Sequence, residues 1–130
     1  MRNPKAKLRA ECDRLLQEKA IEKYGNHCEI CSGTYRIGGH HIFSKSQYGF
    51  LRYDLDNIAV LCSACHIIKL HSRADPLILE KIKEKRGLKW WNNLKRKAQK
   101  RPSGSYLTLK WYKDQLDQLK RKSPDISIKA

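Results

Sequence analysis

Apolar residues between Pro4 and Tyr24 recur at helical spacing: Leu8, Cys12, Leu15, Leu16 and Ile21 fall mostly on one face, and Lys, Arg and Glu fill the other. Asn3-Pro4 places a proline at the first helical position and Gly25-Asn26 stops the run. The period then shortens. Thr34–Ile37 and His40–Phe43 read as short strands among the turn residues Ser32-Gly33 and Gly38-Gly39. Residues 44–57 alternate polar, aromatic and basic side chains and read as a loop, Ile58–Leu61 as an apolar strand, and Ser63–His71 as a helix. Helical spacing returns after Asp75-Pro76, with Leu77, Ile78, Leu79 and Ile82 on one face. Gly87 interrupts it and Leu88–Gln99 resumes it. After the linker Arg101–Ser105 a final helix is predicted from Tyr106 to Lys122, with Leu109, Tyr112, Leu116 and Leu119 at 3-4-3 spacing. That stripe is either core-facing or the seam of a homodimer through the C-terminal helix. The tail after Ser123-Pro124 is expected to fray. The pattern is α+β: a strand–loop–strand–helix unit flanked by helices, dividing into residues 1–27, 28–75 and 76–130.

Charge changes the picture. Lys and Arg number 28 against 13 Asp and Glu, for a net +15. Residues 1–27 carry +3, residues 28–75 carry +1 and residues 76–130 carry +11. A field of that sign and asymmetry attracts polyanions, and the expected partner is DNA; a solvated basic tail is the plainer alternative. The longest apolar run, Ile58–Cys62, is five residues, too short for a membrane span. The N-terminus is charged from Arg2 to Arg14 without the apolar stretch of a secretory signal, so a cytoplasmic, reducing location is expected. Disulfides are then unfavoured, and cysteine pairs read as metal or redox sites.

Four cysteines stand as Cys28-Glu-Ile-Cys31 and Cys62-Ser-Ala-Cys65, bracketing His40-His41 and Asn57 and followed directly by His66. Two Cys-x-x-Cys pairs complete a tetrahedral zinc site, a useful staple for a chain of this size. Cys12 is left over and reads as a buried free thiol. With zinc satisfied by sulfur, His40, His41 and His66 are available to a second centre, although they would also suit a mixed zinc site or plain packing.

The set His40-His41, Asn57 and Cys65-His66 between the cysteine pairs resembles the HNH endonucleases of the ββα-metal class, in the subgroup with four zinc cysteines. The likeness covers Cys28–His71 and implies a zinc-stapled, treble-clef-like ββα-metal module. More narrowly, His41-Ile-Phe-Ser-Lys-Ser, Leu51-Arg-Tyr-Asp-Leu-Asp-Asn57, Leu61–His66 and His71-Ser resemble the recombination endonucleases of lambdoid phages, the NinG or Rap family. That likeness implies a phage protein acting in the host cytoplasm on Holliday junctions and other branched DNA.

The resemblance assigns roles. Phosphodiester hydrolysis needs an activated water and a stabilised leaving oxygen. A neutral imidazole is available near pH 7, since histidine titrates at about 6.5. His41 is the expected general base. His40 and His66 are the implied ligands of a catalytic divalent metal, with His71 as a third whose spacing of five from His66 is awkward on a straight helix. Asn57 is expected to hold loop and strand through its amide. Imidazole ligands suit Mn²⁺, Ni²⁺, Co²⁺ or Zn²⁺ better than Mg²⁺, with which the family is nonetheless expected to work. Candidate DNA contacts are Lys45, Arg52, Lys69, Arg73 and the cluster Lys95, Arg96, Lys97. Trp90 and Trp91 are either core or platforms for unpaired bases. Two other functions suit the same residues: a zinc-stabilised module that binds DNA without cutting it, and an assembly factor with a vestigial site.

Overall fold

The computed structural model describes residues 3–65 and 76–121. The predicted helix beyond Cys65, and with it His66, Lys69, His71 and Arg73, lies outside them, as does the tail from Lys122. In chain order the elements are α1 (Pro4–Tyr24), β1 (Gly38–His41), single 3-10 turns at Gly49–Leu51 and Leu55–Asn57, β2 (Ile58–Leu61), α2 (Pro76–Arg86), α3 (Leu88–Gln99) and α4 (Leu109–Arg121). Helical backbone begins again at Ser63, inside the second cysteine pair. The fold is α+β.

Helix α1 starts where the sequence predicts. Asn3 Oδ1 accepts from the Ala6 N–H at 2.8 Å with Pro4 behind it, and Gly25 closes the helix at φ 96°. Cys12, Leu16 and Ala20 form its buried line. That line packs against Tyr112, Leu116 and Leu119 of α4, so the open question about the last helix is answered within one chain. Tyr112, Leu116 and Leu119 are core, whereas Leu109, at the start of the helix, stays 36% exposed. Helix α4 also begins later than predicted, because the Thr108 hydroxyl caps the Trp111 N–H at 3.1 Å. Tyr106 is instead turned against Phe50.

The sheet is two antiparallel strands in the register Gly38↔Leu61, Gly39↔Val60, His40↔Ala59 and His41↔Ile58. The predicted strand over Thr34–Ile37 is absent. Tyr35 and Arg36 form a turn there, and Arg36 adopts φ 52°, which no strand accommodates. The ladder also ends at His41 rather than Phe43, because the Phe43 N–H turns to the Asn57 side chain.

Strand β2 is buried along its whole length and divides the core by parity. Ile58 and Val60 join α1 and α4, while Ala59 and Leu61 join Cys28, Cys62, Cys65, Ile78 and Ile82. Gly39 lets α1 lie close on the sheet: a Cβ there would stand 2.8 Å from Ile58 Cγ2 and 3.4 Å from Ala20 Cβ.

Both outer edges of the ribbon are closed by side chains. On β1 the Gln17 amide receives the Gly39 N–H at 2.8 Å and donates to the Gly39 carbonyl at 2.9 Å. On β2 the Val60 N–H donates to Glu29 Oε2 at 2.7 Å, and the Val60 carbonyl accepts from the Glu29 N–H at 2.8 Å. Arg86, at the end of α2, reaches the same edge. It holds Glu29 through two bonds of 2.9 and 2.6 Å and donates to the Ile58 carbonyl at 2.6 Å. Its guanidinium lies 3.5 Å from the Tyr24 ring centroid.

The Glu29 and Arg86 side chains are 1% and 6% exposed, so each depends on the other for its charge. Glu29→Ala is expected to destabilise the fold by about 3–5 kcal/mol, because it strands the guanidinium in the interior. Denaturant unfolding measures this, and a loss below about 1 kcal/mol, the range of exposed pairs, would show that the pair is not structural.

Candidate active site and metal centre

Cys28 and Cys31 lie in a tight turn. The Cys28 N–H bonds to Gly33 O at 2.8 Å, and the Ser32 N–H bonds to Cys28 O at 2.9 Å with Ser32 at φ 65°. Backbone N–H groups of Ile30 and Gly33 point at the Cys28 and Cys31 sulfurs, each at 3.4 Å. Cys62 follows β2 directly and Cys65 lies in the first helical turn after it. All four sulfurs stand within 4.8 Å of one another, and Cys31 and Cys62 are 3.6 Å apart. Tetrahedral zinc with bonds of about 2.3 Å sets neighbouring sulfurs about 3.8 Å apart, so the four cysteines are positioned to bind zinc. Burial would raise the Cys28 thiol, but N–H donors from Cys31, Cys62 and Ile30 bring it down to about 7, towards the thiolate that a metal needs. Cys12, by contrast, is pushed up to about 11 by burial, with Asp13 and Glu11 adding to it. It is an inert buried thiol, 3.6 Å from the Tyr112 carbonyl.

Adjacent strand residues face opposite ways, and cross-strand partners face the same way. His40 therefore shares the side of Ala59 and Leu61, the cysteine side. His41 shares the side of Ile58, towards α1. The His41 Nε2 lies 2.8 Å from the Arg52 carbonyl. A carbonyl only accepts, so Nε2 carries the proton and Nδ1 keeps its lone pair. Burial holds the imidazole below its usual pKa against the raising effect of that hydrogen bond, and Lys45 and Arg52 lower it further.

Asn57 is fully buried and ties the site together. Its Oδ1 accepts from the Phe43 N–H at 2.8 Å. Its Nδ2 donates to the carbonyls of Phe43 at 3.1 Å and Leu51 at 3.3 Å, and its own carbonyl accepts from the Ile42 N–H at 2.8 Å. One amide thus fixes both ends of the loop between the doublet and β2.

Residues 28–72 match the family model described as HNH endonuclease. The match takes in both cysteine pairs, the histidine doublet, Asn57, His66 and His71, and the four-cysteine cluster fits the zinc-bearing subgroup of HNH proteins. No curated protein and no solved structure matches the chain. Among the described residues no helix is long and apolar enough to cross a membrane.

The basic residues singled out in the sequence divide around this matched segment. Lys45, Lys95 and Arg96 are exposed. Lys97 is turned inward onto Asp54 and Asp56, each at 2.9 Å, and so pins α3 to the turn before β2. Arg52 is engaged with Asp13 of α1 at 3.0 Å. Trp90 is likewise structural, donating to the Asp56 carbonyl at 2.9 Å, whereas Trp91 stacks on Phe43 at 5.8 Å with rings 4° from parallel. Lys83 and Lys95 lie over Trp91 at 4.8 and 5.6 Å from its centroid.

Sequence reasoning missed Glu29, Gln17 and the Arg52 carbonyl. Only Glu29 left a trace, as an acid between two cysteines in a segment with little other charge. Its partner lies 57 residues away, beyond any local pattern.

Proposed function

We propose that the protein is a metal-dependent DNA endonuclease of HNH type. The observation that carries the reading is His41: a neutral imidazole, held by the Arg52 carbonyl with its Nδ1 lone pair unprotonated, inside the segment that matches the HNH model. His41 takes the proton from the attacking water. Asn57 keeps the doublet and its loop in register while the substrate binds. The proposed ligands of the divalent metal are His40, His66 and His71. When bound, that metal supplies charge neutralisation at the phosphate and stabilises the leaving oxygen. Mn²⁺ and Mg²⁺ are the proposed ions, with Ni²⁺, Co²⁺ and Zn²⁺ also suited to imidazole donors. The four cysteines hold a separate, structural zinc.

Within this class the proposed substrate is branched DNA such as a Holliday junction, supported by the likeness to the NinG or Rap recombination endonucleases, and the proposed setting is the cytoplasm. Symmetric cutting of a junction needs two copies, for which Tyr112, Leu116 and Leu119, engaged with α1, are not the proposed surface.

The test is a cleavage panel of duplex, nicked, single-stranded, flapped and four-way DNA in each metal. Cleavage that needs the divalent ion supports the proposal, and a preference for four-way DNA supports the narrower one. Binding with no cleavage in any metal would leave the non-catalytic DNA-binding or assembly module as the better reading. In the same assays Lys95→Ala with Arg96→Ala is expected to weaken binding and to flatten the logarithmic salt slope by about one for each phosphate that the side chains no longer neutralise. An unchanged slope would remove these two residues from the interface.

A further inference from the structure

The proposed base is oriented by a carbonyl that belongs to a loop, not to the sheet, so something must hold that loop. The Arg52 N–H closes the 3-10 turn on Gly49 O at 3.1 Å. The stronger restraint comes from the Arg52 side chain. Its Nε donates to Asp13 Oδ1 at 3.2 Å, and its Nη2 donates to Asp13 Oδ1 and Oδ2 at 3.1 and 3.0 Å. The guanidinium also lies 5.5 Å from the Tyr53 ring centroid, with Tyr53 itself in the core. Asp13 is well anchored, since it follows Cys12, the fully buried residue at the centre of the α1–α4 packing. A forked guanidinium–carboxylate pair fixes direction as well as distance, which a single ammonium cannot do.

We propose that Asp13 and Arg52 are positioning residues for His41: the α1 carboxylate fixes the Arg52 fork, the fork fixes the Arg52 backbone, and the Arg52 carbonyl holds His41 in its Nε2–H tautomer with Nδ1 turned to the water. This rests on His41 being the base. It places part of the active-site framework on α1, outside the segment that matches the HNH model, and it gives Arg52 a role other than contact with DNA. The Asp13 side chain is 44% exposed and that of Arg52 23%, and pairs of this kind contribute little to stability. Breaking the pair therefore alters orientation without unfolding the chain.

Turnover and KM on one cleavable DNA, together with ¹⁵N shifts of the His41 imidazole in the zinc-loaded protein, test the proposal. The variants are Asp13→Asn, Arg52→Lys and the exchange Asp13→Arg with Arg52→Asp, with zinc content and melting temperature as controls of fold. Asp13→Asn is expected to lower turnover about ten- to a hundredfold, the range found for partners that orient functional histidines. KM should stay level or fall, since a negative charge near the DNA is removed. The His41 ring should pass from one tautomer to a mixture. Arg52→Lys should behave alike, and the exchange should recover turnover. Wild-type turnover in Asp13→Asn, a raised KM with turnover unchanged, or a retained single Nε2–H tautomer would each overturn the clamp. Were the wild-type protein to cut no DNA at all, the endonuclease reading would fall, and the tautomer comparison would still decide whether Asp13 orients His41.

Discussion

A chain carrying Cys62→Ser is expected to lose the cooperative unfolding of its central module, and removal of zinc from the wild-type protein by a chelator should do the same. Structural zinc sites contribute about 10–16 kcal/mol of apparent binding free energy in small zinc modules, which matches or exceeds the whole stability of a typical domain, about 5–15 kcal/mol. The effect should spread beyond the sulfurs. Glu29 sits between Cys28 and Cys31, and Cys62 directly follows β2, so freeing the knuckle also uncaps Val60 and leaves Arg86 buried without its carboxylate. The buried residues of the α1–α4 packing are distinct from those of the cysteine cluster, and only the partly buried Ile37 touches both, so part of the helical circular dichroism should persist while the melt broadens. Purified protein without zinc, or an unchanged melt in excess chelator, would disprove the structural metal.

His41→Ala is expected to lower cleavage by about 10²–10⁴-fold, the usual contribution of a positioned general base, with zinc content, melting temperature and DNA affinity unchanged. His40→Ala should also fail, but it should recover in part at high Mn²⁺, because a weakened site still fills by mass action. His41→Ala should not recover, since added metal cannot accept the proton in its place. The pH profile has a definite sign. The base works when neutral, so wild-type kcat/KM rises with pH. Burial holds the imidazole below its ordinary value, so the midpoint of the rise lies on the acid side of about 6.5, with a plateau at neutral pH. Wild-type rates in His41→Ala, or a midpoint above 7, would exclude His41 as the base.

Much of this arrangement was legible in the sequence because its signals are local. Helix α1 announces itself by spacing and by Asn3-Pro4, the cysteine turns by Cys-x-x-Cys, and β2 by four apolar residues in a row. The break between α2 and α3 falls at Gly87, as read. What was not legible depends on partners far along the chain. A histidine doublet does not reveal which carbonyl will receive it. The Tyr35-Arg36 turn looks like strand until the left-handed residue is seen. The charge of Lys97 suggests DNA until Asp54 and Asp56 are found beneath it. Periodicity also sets a face without naming its partner, which is why the α4 stripe left core and seam open until α1 was placed on it.

The closed edges of the small sheet carry a consequence for how such a protein keeps company with itself. A two-stranded ribbon with bare margins invites another backbone to lie alongside, and that is the route to swapped and fibrous assemblies. Here Gln17 occupies one margin, and Glu29 with Arg86 occupies the other. The Gly39 and Val60 groups on those margins are thereby already engaged, and a neighbouring strand laid against the described ribbon would have to displace Gln17 or Glu29 before it could pair.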